Sequence, residues 1–338
     1  MADLPALAYV NGRLATELLD VTTDPAALDS TGFWVLVKTY EGELTAARFG
    51  HVREASPAGV RPRWPWRGPA LGSWLSSIDE GTYLAAVDKI RDYIAGGEVY
   101  QANLCRVMSA PLPDPDRCDV VGLARLLGVG NPAPYASVVR LPKVELQVVS
   151  ASPELYLGRN GRQVVSRPIK GTGRTVADLL PKDHAENVMI VDLVRNDLGR
   201  VSEIGTIAVP QLCAVEEHPG LVHLVSTVTG RLRSDVGWPQ LFAATFPPGS
   251  VTGAPKSSAV RIIEELEPVS RGPYCGAIGW VDADRQQAEL AVGIRTFWVA
   301  GGRLHFGTGA GITWGSDPAG EWAETELKAD RLIALASG

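Results

Sequence analysis

Strand-like runs occur in clusters along the chain, and single helices separate the clusters. A typical run is FWVLVKTY (33–40), which is short, apolar and bounded by turn residues. Three further runs stand together between residues 275 and 312, and a helical pattern follows them. The regular βαβ alternation that marks a parallel sheet is missing. The pattern therefore predicts an α+β fold, a sandwich of largely antiparallel β-sheets.

Four helices are expected from apolar periodicity and end signals, over about 82–96, 183–198, 255–267 and 318–335. Gly199 should close the second helix, and Pro255 suits the first turn of the third. Asp317 should cap the last helix, with Pro318 as its first residue.

A proline-rich stretch, SPAGVRPRWPWRGPALG (56–72), interrupts the pattern of strands and helices. Its four prolines and two tryptophans predict a surface loop rather than a regular element. We expect a short N-terminal region, 1–72, to contribute strands to the same sandwich as the main domain, 73–338.

Composition limits the possible partners and compartment. The net charge is −6 and basic residues form no block, so a nucleic-acid partner is not expected. The four cysteines are far apart and predict neither a disulfide framework nor a zinc site, which favours a reducing, cytoplasmic setting. No apolar run approaches the roughly 20 residues of a membrane span, and the N-terminus does not resemble a signal peptide.

Two helices carry matched pairs of acids. Asp183 and Glu186 are three residues apart on one predicted helix, and Glu321 and Glu324 on another, so each pair shares a helical face. Carboxylates supplied by two helices would suit Mg²⁺ shared with an oxyanion substrate. The alternative is two solvated helix starts, where acids are favoured by the helix dipole.

Two glycine-rich segments resemble phosphate-binding loops without matching them. In GTGAGI (307–312), Ile312 stands where a dinucleotide fingerprint needs its third glycine. The backbone amides of this segment could hold a small carboxylate. The alternative is that the segment is only a tight turn. In PPGSVTGAPKSS (247–258), two residues separate the last glycine from Lys256, so a nucleotide loop is not expected. The helix start after Gly253 could still receive an anion.

Three cationic or titratable residues allow two interpretations each. Lys170 ends a strand-like run and is either a solvated surface charge or a desolvated nucleophile or base. His223 lies in an apolar run and is either a hydrogen-bonded core residue or a catalytic one. Arg295 is flanked by apolar residues and needs an acidic residue or a substrate carboxylate as its partner.

Ten segments in family order resemble the chorismate-utilising enzymes, and within that family the large components of aminodeoxychorismate synthases. They are GEVYQANL (97–104), SPELY (152–156), RPIKGT (167–172), AENVMIVDLVRNDLGRV (185–201), HLVSTV (223–228), FPPGSVTGAPK (246–256), YCGAIGW (274–280), IRT (294–296), GAGI (309–312) and EWAETELK (321–328). The resemblance covers about residues 80 to 336. It implies that 73–338 is a chorismate-binding catalytic domain, and that the fold is two packed antiparallel sheets with helices outside.

The resemblance also implies roles for individual residues. Lys170 would attack C2 of chorismate, with Glu154 as its acid or base partner; anthranilate synthases are similar but carry alanine at the lysine position. Glu186 and Glu324 would bind Mg²⁺, with Asp183 and Glu321 acting through water. The remaining pocket residues would be Arg295, Tyr274, Lys328, Thr252, Gly253, His223 and the backbone of Gly309, Ala310 and Gly311.

Partners follow from the same resemblance. Ammonia would come from a separate class I glutamine amidotransferase subunit, since no cysteine here lies in a G-x-C-x-G elbow, and the chain looks too short to carry the lyase that releases 4-aminobenzoate.

Two departures from the family pattern stand out. PIKGTGRT replaces P-I-K-G-T-R-P-R with a shorter linker to the next helix, and ELLD (17–20) only faintly resembles the motif of tryptophan-binding members, so tryptophan control is not expected.

Overall fold

All the strands that the structure describes join one hydrogen-bonded antiparallel network. The computed structural model describes residues 4–56, 59–173, 175–179, 181–218 and 221–338. Eighteen strands lie in these ranges: β1 (Leu7–Val10), β2 (Arg13–Thr22), β3 (Phe33–Lys38), β4 (Leu44–Glu54), β5 (Leu75–Ser76), β6 (Gln101–Pro111), β7 (Tyr135–Leu141), β8 (Leu146–Ser152), β9 (Leu155–Asn160), β10 (Gln163–Arg167), β11 (Ile169–Gly173), β12 (Ala208–His218), β13 (Leu221–Arg231), β14 (Gly253–Ala254), β15 (Ala277–Asp282), β16 (Gln287–Val292), β17 (Thr296–Ala300) and β18 (Arg303–Ile312).

The network folds back on itself at β4, which pairs with β3 on one side and β2 on the other. We call the two halves the first and second leaf. The first leaf runs from β4 through β3, β15, β16, β9, β10 and β13 to β12, with β11 continuing β10 along β13. The second runs from β4 through β2, β1, β7, β8, β17 and β18 to β6, whose far side pairs with β5 and β14.

A hydrophobic core lies between the two leaves. Val35 and Ile278 of the first leaf belong to the same buried cluster as Val139 and Val148 of the second. Side chains alternate along each strand, so every strand of this region also presents a second face to the helices outside. The result is the predicted sandwich of two packed, largely antiparallel sheets.

Six helices cover the outer faces: α1 (Glu80–Ala95), α2 (Val120–Gly130), α3 (Pro181–Gly199), α4 (Trp238–Thr245), α5 (Lys256–Leu266) and α6 (Pro318–Ser337). Residues of α3, α4 and α5 share a buried cluster with the first leaf, and residues of α2 and α6 share one with the second. None of the helices in the described ranges is long and apolar enough to cross a membrane.

The sequence predicted most, but not all, of these elements. The side chain of Asp317 caps α6 and Pro318 is its first residue, as expected. Pro255 precedes α5 as its N-cap rather than lying in its first turn, and the single run expected over 288–299 is two strands, because Arg295 adopts a φ of 52° between them. Helices α2 and α4 were not predicted. The proposed domain boundary at residue 72 stays a prediction.

Candidate active site

Lys170 lies on β11, next to a register shift in the pairing of β11 with β13. Its Nζ is 4.0 Å from Oε2 of Glu186 on α3, and both side chains are mostly buried. Gly171 has a φ of 85°, and a Cβ there would lie 2.8 Å from the Cβ of Asp183. The glycine therefore allows α3 to approach β11 closely enough for the lysine and the acids to meet.

Lys170 also reaches the second leaf. A Cβ built on Gly311 of β18 would lie 3.5 Å from Nζ of Lys170 and 2.2 Å from Nε2 of Gln101. The lysine thus bridges the two leaves at one edge of the sandwich. The interpretation of Lys170 as a solvated surface charge is wrong, since its side chain is only 15% exposed.

Glu154 lies where the chain crosses from β8 in the second leaf to β9 in the first. Its residue is 4% exposed. Burial raises the pKa of Glu154 to about 7, although the Ser250 hydroxyl, the Lys170 ammonium and the Ile169 N–H all favour the carboxylate. A carboxyl group that titrates near neutrality can both donate and accept a proton.

The two acid pairs face each other across the same space. Burial raises the pKa of Glu186, and the negative charges of Asp183 and Glu324 raise it further, against Lys170 and Lys182. Burial likewise raises the pKa of Glu321, whose Oε1 accepts a 2.6 Å hydrogen bond from Ser316. Helices α3 and α6, which lie on opposite leaves, therefore bring Glu186 and Glu324 close enough for their charges to interact.

Lys328 is engaged with Glu324 and β18. Its Nζ lies 2.5 Å from Oε1 of Glu324 and donates a 3.0 Å hydrogen bond to the Gly309 carbonyl. Burial alone would raise the pKa of Glu324, but the Lys328 charge, aided by Lys182 and Lys170, lowers it overall. Glu324 is therefore held as a carboxylate.

The predicted Mg²⁺ ligands do not form a closed coordination site. Within the described ranges, no three His, Cys, Asp or Glu side chains lie close enough together to hold a metal ion. The donors nevertheless fit the chemistry of a hard cation, because Glu186, Glu321 and Glu324 are partly buried carboxylates and the charge of Glu324 raises the pKa of each of the other two. The magnesium site stays a prediction.

Arg295 lies at the second crossover between the leaves, from β16 to β17. Its carbonyl accepts a hydrogen bond from Ala151, so the two crossovers are neighbours. Burial lowers the pKa of Arg295, and its guanidinium forms no ion pair with any residue that the structure describes. Such a group requires an anion from elsewhere.

Strand β18 offers backbone groups along an open edge. It pairs with β17 only over 303–306, whereas its pairing with β6 continues to Ile312. Since the Gly309 carbonyl faces Lys328, the N–H groups of Gly309 and Gly311 point away from β6, and that of Ala310 points toward it. Two of the three predicted amides can thus meet a ligand.

The other predicted pocket residues are buried nearby and are fixed by their surroundings. The Thr252 hydroxyl donates to the carbonyls of Pro248 and Gly249, 3.1 Å from each. A Cβ at Gly253 would lie 2.0 Å from the Gln101 carbonyl. Tyr274 packs its ring against Gly307, and His223 is 3% exposed on β13, opposite positions 172 and 216. Their ligand-binding roles stay predictions.

Two features of this region were not predicted from the sequence. Gln101 is 1% exposed, and its Oε1 has no hydrogen-bond partner among the described residues. The signal available in the sequence was a polar glutamine within the strand-like run 99–109. Lys256 bonds Asp197 at 2.6 Å and two backbone carbonyls, so its ammonium serves the fold and not an anion. The shortened linker after Lys170 lies partly outside the described residues, at 174 and 180.

A family profile described as chorismate binding enzyme matches residues 44–334. The chain belongs to this family. It is 38% identical over 273 residues to aminodeoxychorismate synthase component 1 of Klebsiella aerogenes, an alignment that covers 77% of this chain and 59% of the relative. It is 40% identical over 272 residues to anthranilate synthase component 1 of Streptomyces coelicolor, covering 77% and 52%. The chain thus spans little more than half the length of these curated relatives.

Solved structures agree on the fold. A putative 2,3-dihydroxybenzoate-specific isochorismate synthase, DhbC from Bacillus anthracis, superposes with a TM-score of 0.79 at 24% identity, covering 98% of this chain and 96% of that one. Anthranilate synthase component I from Streptococcus pneumoniae gives the same TM-score and identity, covering 98% and 93%. The family therefore includes proteins named for three different reactions of chorismate.

Proposed function

We propose that the protein is the large component of an aminodeoxychorismate synthase, which converts chorismate and ammonia to 4-amino-4-deoxychorismate. One observation carries the proposal. The Lys170 amine lies between the two leaves, in a space that we call the crevice, bounded by Glu154, Glu186 and the open edge of β18. Its charge favours the ionised form of the buried Glu154, it is 4.0 Å from Glu186, and it lies close to Gly311 of β18. A mostly buried amine beside a carboxyl group that titrates near neutrality is a suitable nucleophile with its own proton carrier.

In the first step, Lys170 passes a proton to the Glu154 carboxylate, the neutral amine attacks C2 of chorismate, the two conjugated ring double bonds shift, and the C4–O bond breaks. Glu154 in its protonated form donates a proton to the departing hydroxyl group, which leaves as water. Because the pKa of Glu154 is raised to about 7, the protonated form is well populated near neutral pH. The secondary ammonium formed at C2 then loses a proton to the Glu154 carboxylate, which is thereby protonated again.

In the second step, ammonia adds at C4, the two ring double bonds shift back, and the C2–N bond to Lys170 breaks. The lysine nitrogen takes up a proton as it leaves, and the new ammonium at C4 loses one. Glu154 gives the first of these protons and its carboxylate accepts the second, because its pKa of about 7 allows both transfers. The lysine and Glu154 return to their starting states, so the cycle is balanced in protons.

The substrate carries two carboxylates, and the crevice supplies groups for both. Arg295, Lys328 and the free amides of Gly309 and Gly311 are the available donors. Glu186 and Glu324, with Asp183 and Glu321, would hold Mg²⁺, which when bound supplies positive charge for the ring carboxylate and for the developing charge on the leaving oxygen. Placing these donors around one crevice suits a dianion.

The ammonia is expected from a separate class I glutamine amidotransferase subunit, and the product is expected to serve 4-aminobenzoate and folate synthesis or a derived metabolite. Lys170 supports aminodeoxychorismate synthesis over anthranilate synthesis, because the resemblance implies that anthranilate synthases carry alanine at this position. Anthranilate synthase is the first alternative, because relatives with that name are as similar in sequence.

A sister reaction with water, giving isochorismate or salicylate, is the second alternative. The side chain beside Lys170 on β6 is the amide of Gln101, which cannot accept a proton from water as a base would. This disfavours water as the nucleophile. A chorismate-binding protein without catalysis is the third alternative, and it gives no reason for an inward-facing lysine beside a carboxyl group of raised pKa.

The test is mass-resolved product analysis after incubation with chorismate, Mg²⁺ and ammonium at mildly alkaline pH. The wild-type chain should form aminodeoxychorismate, and Lys170→Ala should abolish or greatly reduce it. Anthranilate, isochorismate or salicylate from the wild type would contradict the proposal. Binding of chorismate with no product, in the presence of ammonium and Mg²⁺, would favour the binding protein.

A further inference from the structure

Glu154 faces Lys170 on one side and a small buried cavity on the other. The cavity has room for about one water molecule, and its polar lining includes Glu154, Ser250, Asp197, Thr245, Ser166 and Tyr156. Of these, Ser250 acts directly on the carboxyl group: both residues line the same cavity, and the Ser250 hydroxyl lowers the pKa of Glu154 against the effect of burial. The proton carrier therefore has a partner that belongs to neither the substrate crevice nor the acid pairs.

Ser250 belongs to a turn that a buried lysine holds from one side. The turn, residues 246–252, joins α4 to β14. The Lys256 ammonium donates hydrogen bonds to the carbonyls of Thr245, at 2.9 Å, and Pro247, at 2.8 Å, and pairs with Asp197 at 2.6 Å. The side chains of this pair are 17% and 7% exposed. The start of the turn is thus fixed by a largely buried ion pair.

A buried arginine holds the other side of the same turn. Nη1 of Arg271 donates a 2.8 Å hydrogen bond to the Val251 carbonyl, directly after Ser250. Nη2 donates to the Asn103 carbonyl of β6 at 2.7 Å, and Glu267 binds the guanidinium through both carboxylate oxygens. The turn is therefore fixed to both β6 and α5. These bonds hold the turn, and Ser250 within it, in one position beside the cavity.

We propose that Ser250 is a positioning residue for Glu154, and that Lys256 and Arg271 fix the turn so that the Ser250 hydroxyl meets the Glu154 carboxyl group. The proposal rests on the proposed function to the extent that Glu154 carries the proton in that reaction. The contact orients the carboxyl group toward Lys170 and stabilises its ionised form, which must exist after the proton has left.

The charged groups around Glu154 determine whether loss of the Ser250 hydroxyl raises or lowers the pKa of Glu154. Lys170 faces it from β11, and Asp197, paired with Lys256, lines the far side of the cavity. Lys170 and the Ser250 hydroxyl favour the carboxylate, and burial opposes them. When the hydroxyl is removed, one of the groups that lower the pKa of Glu154 is lost while the effect of burial remains. The pKa of Glu154 should therefore rise further.

The test is a direct titration of Glu154 in the full chain by NMR, with ¹³C at the glutamate carboxyl carbon. The Glu154 signal is identified by its absence from Glu154→Gln. In Ser250→Ala, the midpoint should move upward by about one pH unit. It should stay near the wild-type value in Ser250→Thr, which keeps a hydroxyl, and in the matched control Ser166→Ala, which removes another hydroxyl from the cavity lining.

An unchanged midpoint in Ser250→Ala would overturn the proposal, as would an equal shift in Ser166→Ala. Where aminodeoxychorismate is formed, the limb of the kcat/KM profile governed by Glu154 should move in the same direction, while KM changes little. The titration needs no turnover. A chain that makes no aminodeoxychorismate would therefore count against the proposed function and leave the result for Ser250 intact.

Discussion

Gly311 and Lys170 come from opposite leaves and meet at one point, where a Cβ on the glycine would lie 3.5 Å from the lysine Nζ. The same Cβ would lie 2.2 Å from Nε2 of Gln101, so a side chain can enter only if the glutamine moves. The glycine therefore determines the space around the amine.

Gly311→Ala should lower turnover by at least about tenfold, because it displaces Gln101 and crowds the amine that we propose as the nucleophile. Steady-state kinetics with ammonium as the nitrogen source would measure the loss. The matched control is Gly315→Ala, where a Cβ meets no atom within 4 Å. Equal activities in the two variants would contradict this account of the crevice.

Glu154→Gln should abolish turnover yet stabilise the fold at alkaline pH. The folded pKa of about 7 lies above the value of about 4.3 for a free glutamate, so folding favours the protonated form. That contribution is present in full below about pH 4 and is lost as the pH rises through 7. Glutamine resembles the protonated form at every pH.

Denaturant unfolding at pH 5 and pH 8.5 would measure this effect. The variant should gain about 2 kcal/mol relative to wild type between the two conditions. A stability difference that does not depend on pH would show that Glu154 titrates normally in the folded protein.

Arg295→Met should raise the KM for chorismate by about tenfold or more with little loss of folding stability. The guanidinium has no acidic partner among the described residues, so its removal costs the fold little. Arg140→Met is the contrasting variant, because Arg140 pairs with the fully buried Asp119 at 2.6 Å and its loss should lower the free energy of unfolding by several kcal/mol. Thermal unfolding and initial rates would separate the two cases. Comparable destabilisation by both variants would contradict the conclusion that Arg295 has no acidic partner in the fold.

Lys256→Met should be strongly destabilising, by about 3 kcal/mol, because it leaves Asp197 buried without its cation. Burial already raises the pKa of Asp197 to about 6 even with Lys256 present. The double variant Lys256→Met, Asp197→Asn should recover part of the loss. A double-mutant cycle on unfolding free energies would measure the coupling, and strict additivity would contradict the ion pair.

Much of the fold could be predicted because its elements carry local signals. The cap of α6 is one case, since Asp317 and Pro318 are read from two adjacent letters. Helix α2 was missed because its sequence, VVGLARLLGVG, contains three glycines and is nearly apolar throughout, so it has no clear stripe. Helix α4 is eight residues long with a proline at its start, which is too short for periodicity to be visible.

The site could be predicted only in part, because its residues meet through tertiary contacts. Motif resemblance pointed to Lys170 and Glu154, but no local pattern shows that Glu154 and Arg295 both lie where the chain crosses between leaves. The single run expected over 288–299 concealed the second crossover. Ser250 and Gln101 were overlooked since their importance comes from what they touch and not from their chemistry alone.

The fold-back of the sheet at β4 also bears on how the protein acquires activity. Lys170 and Gly311 are 141 residues apart in the sequence (311 − 170), and their strands lie toward opposite ends of the hydrogen-bonded network. Contacts between such distant segments close large loops, so they form slowly and late in folding. During refolding, catalytic activity should therefore return after most of the secondary structure, and fragments cut between β11 and β18 should regain it only when both pieces are present.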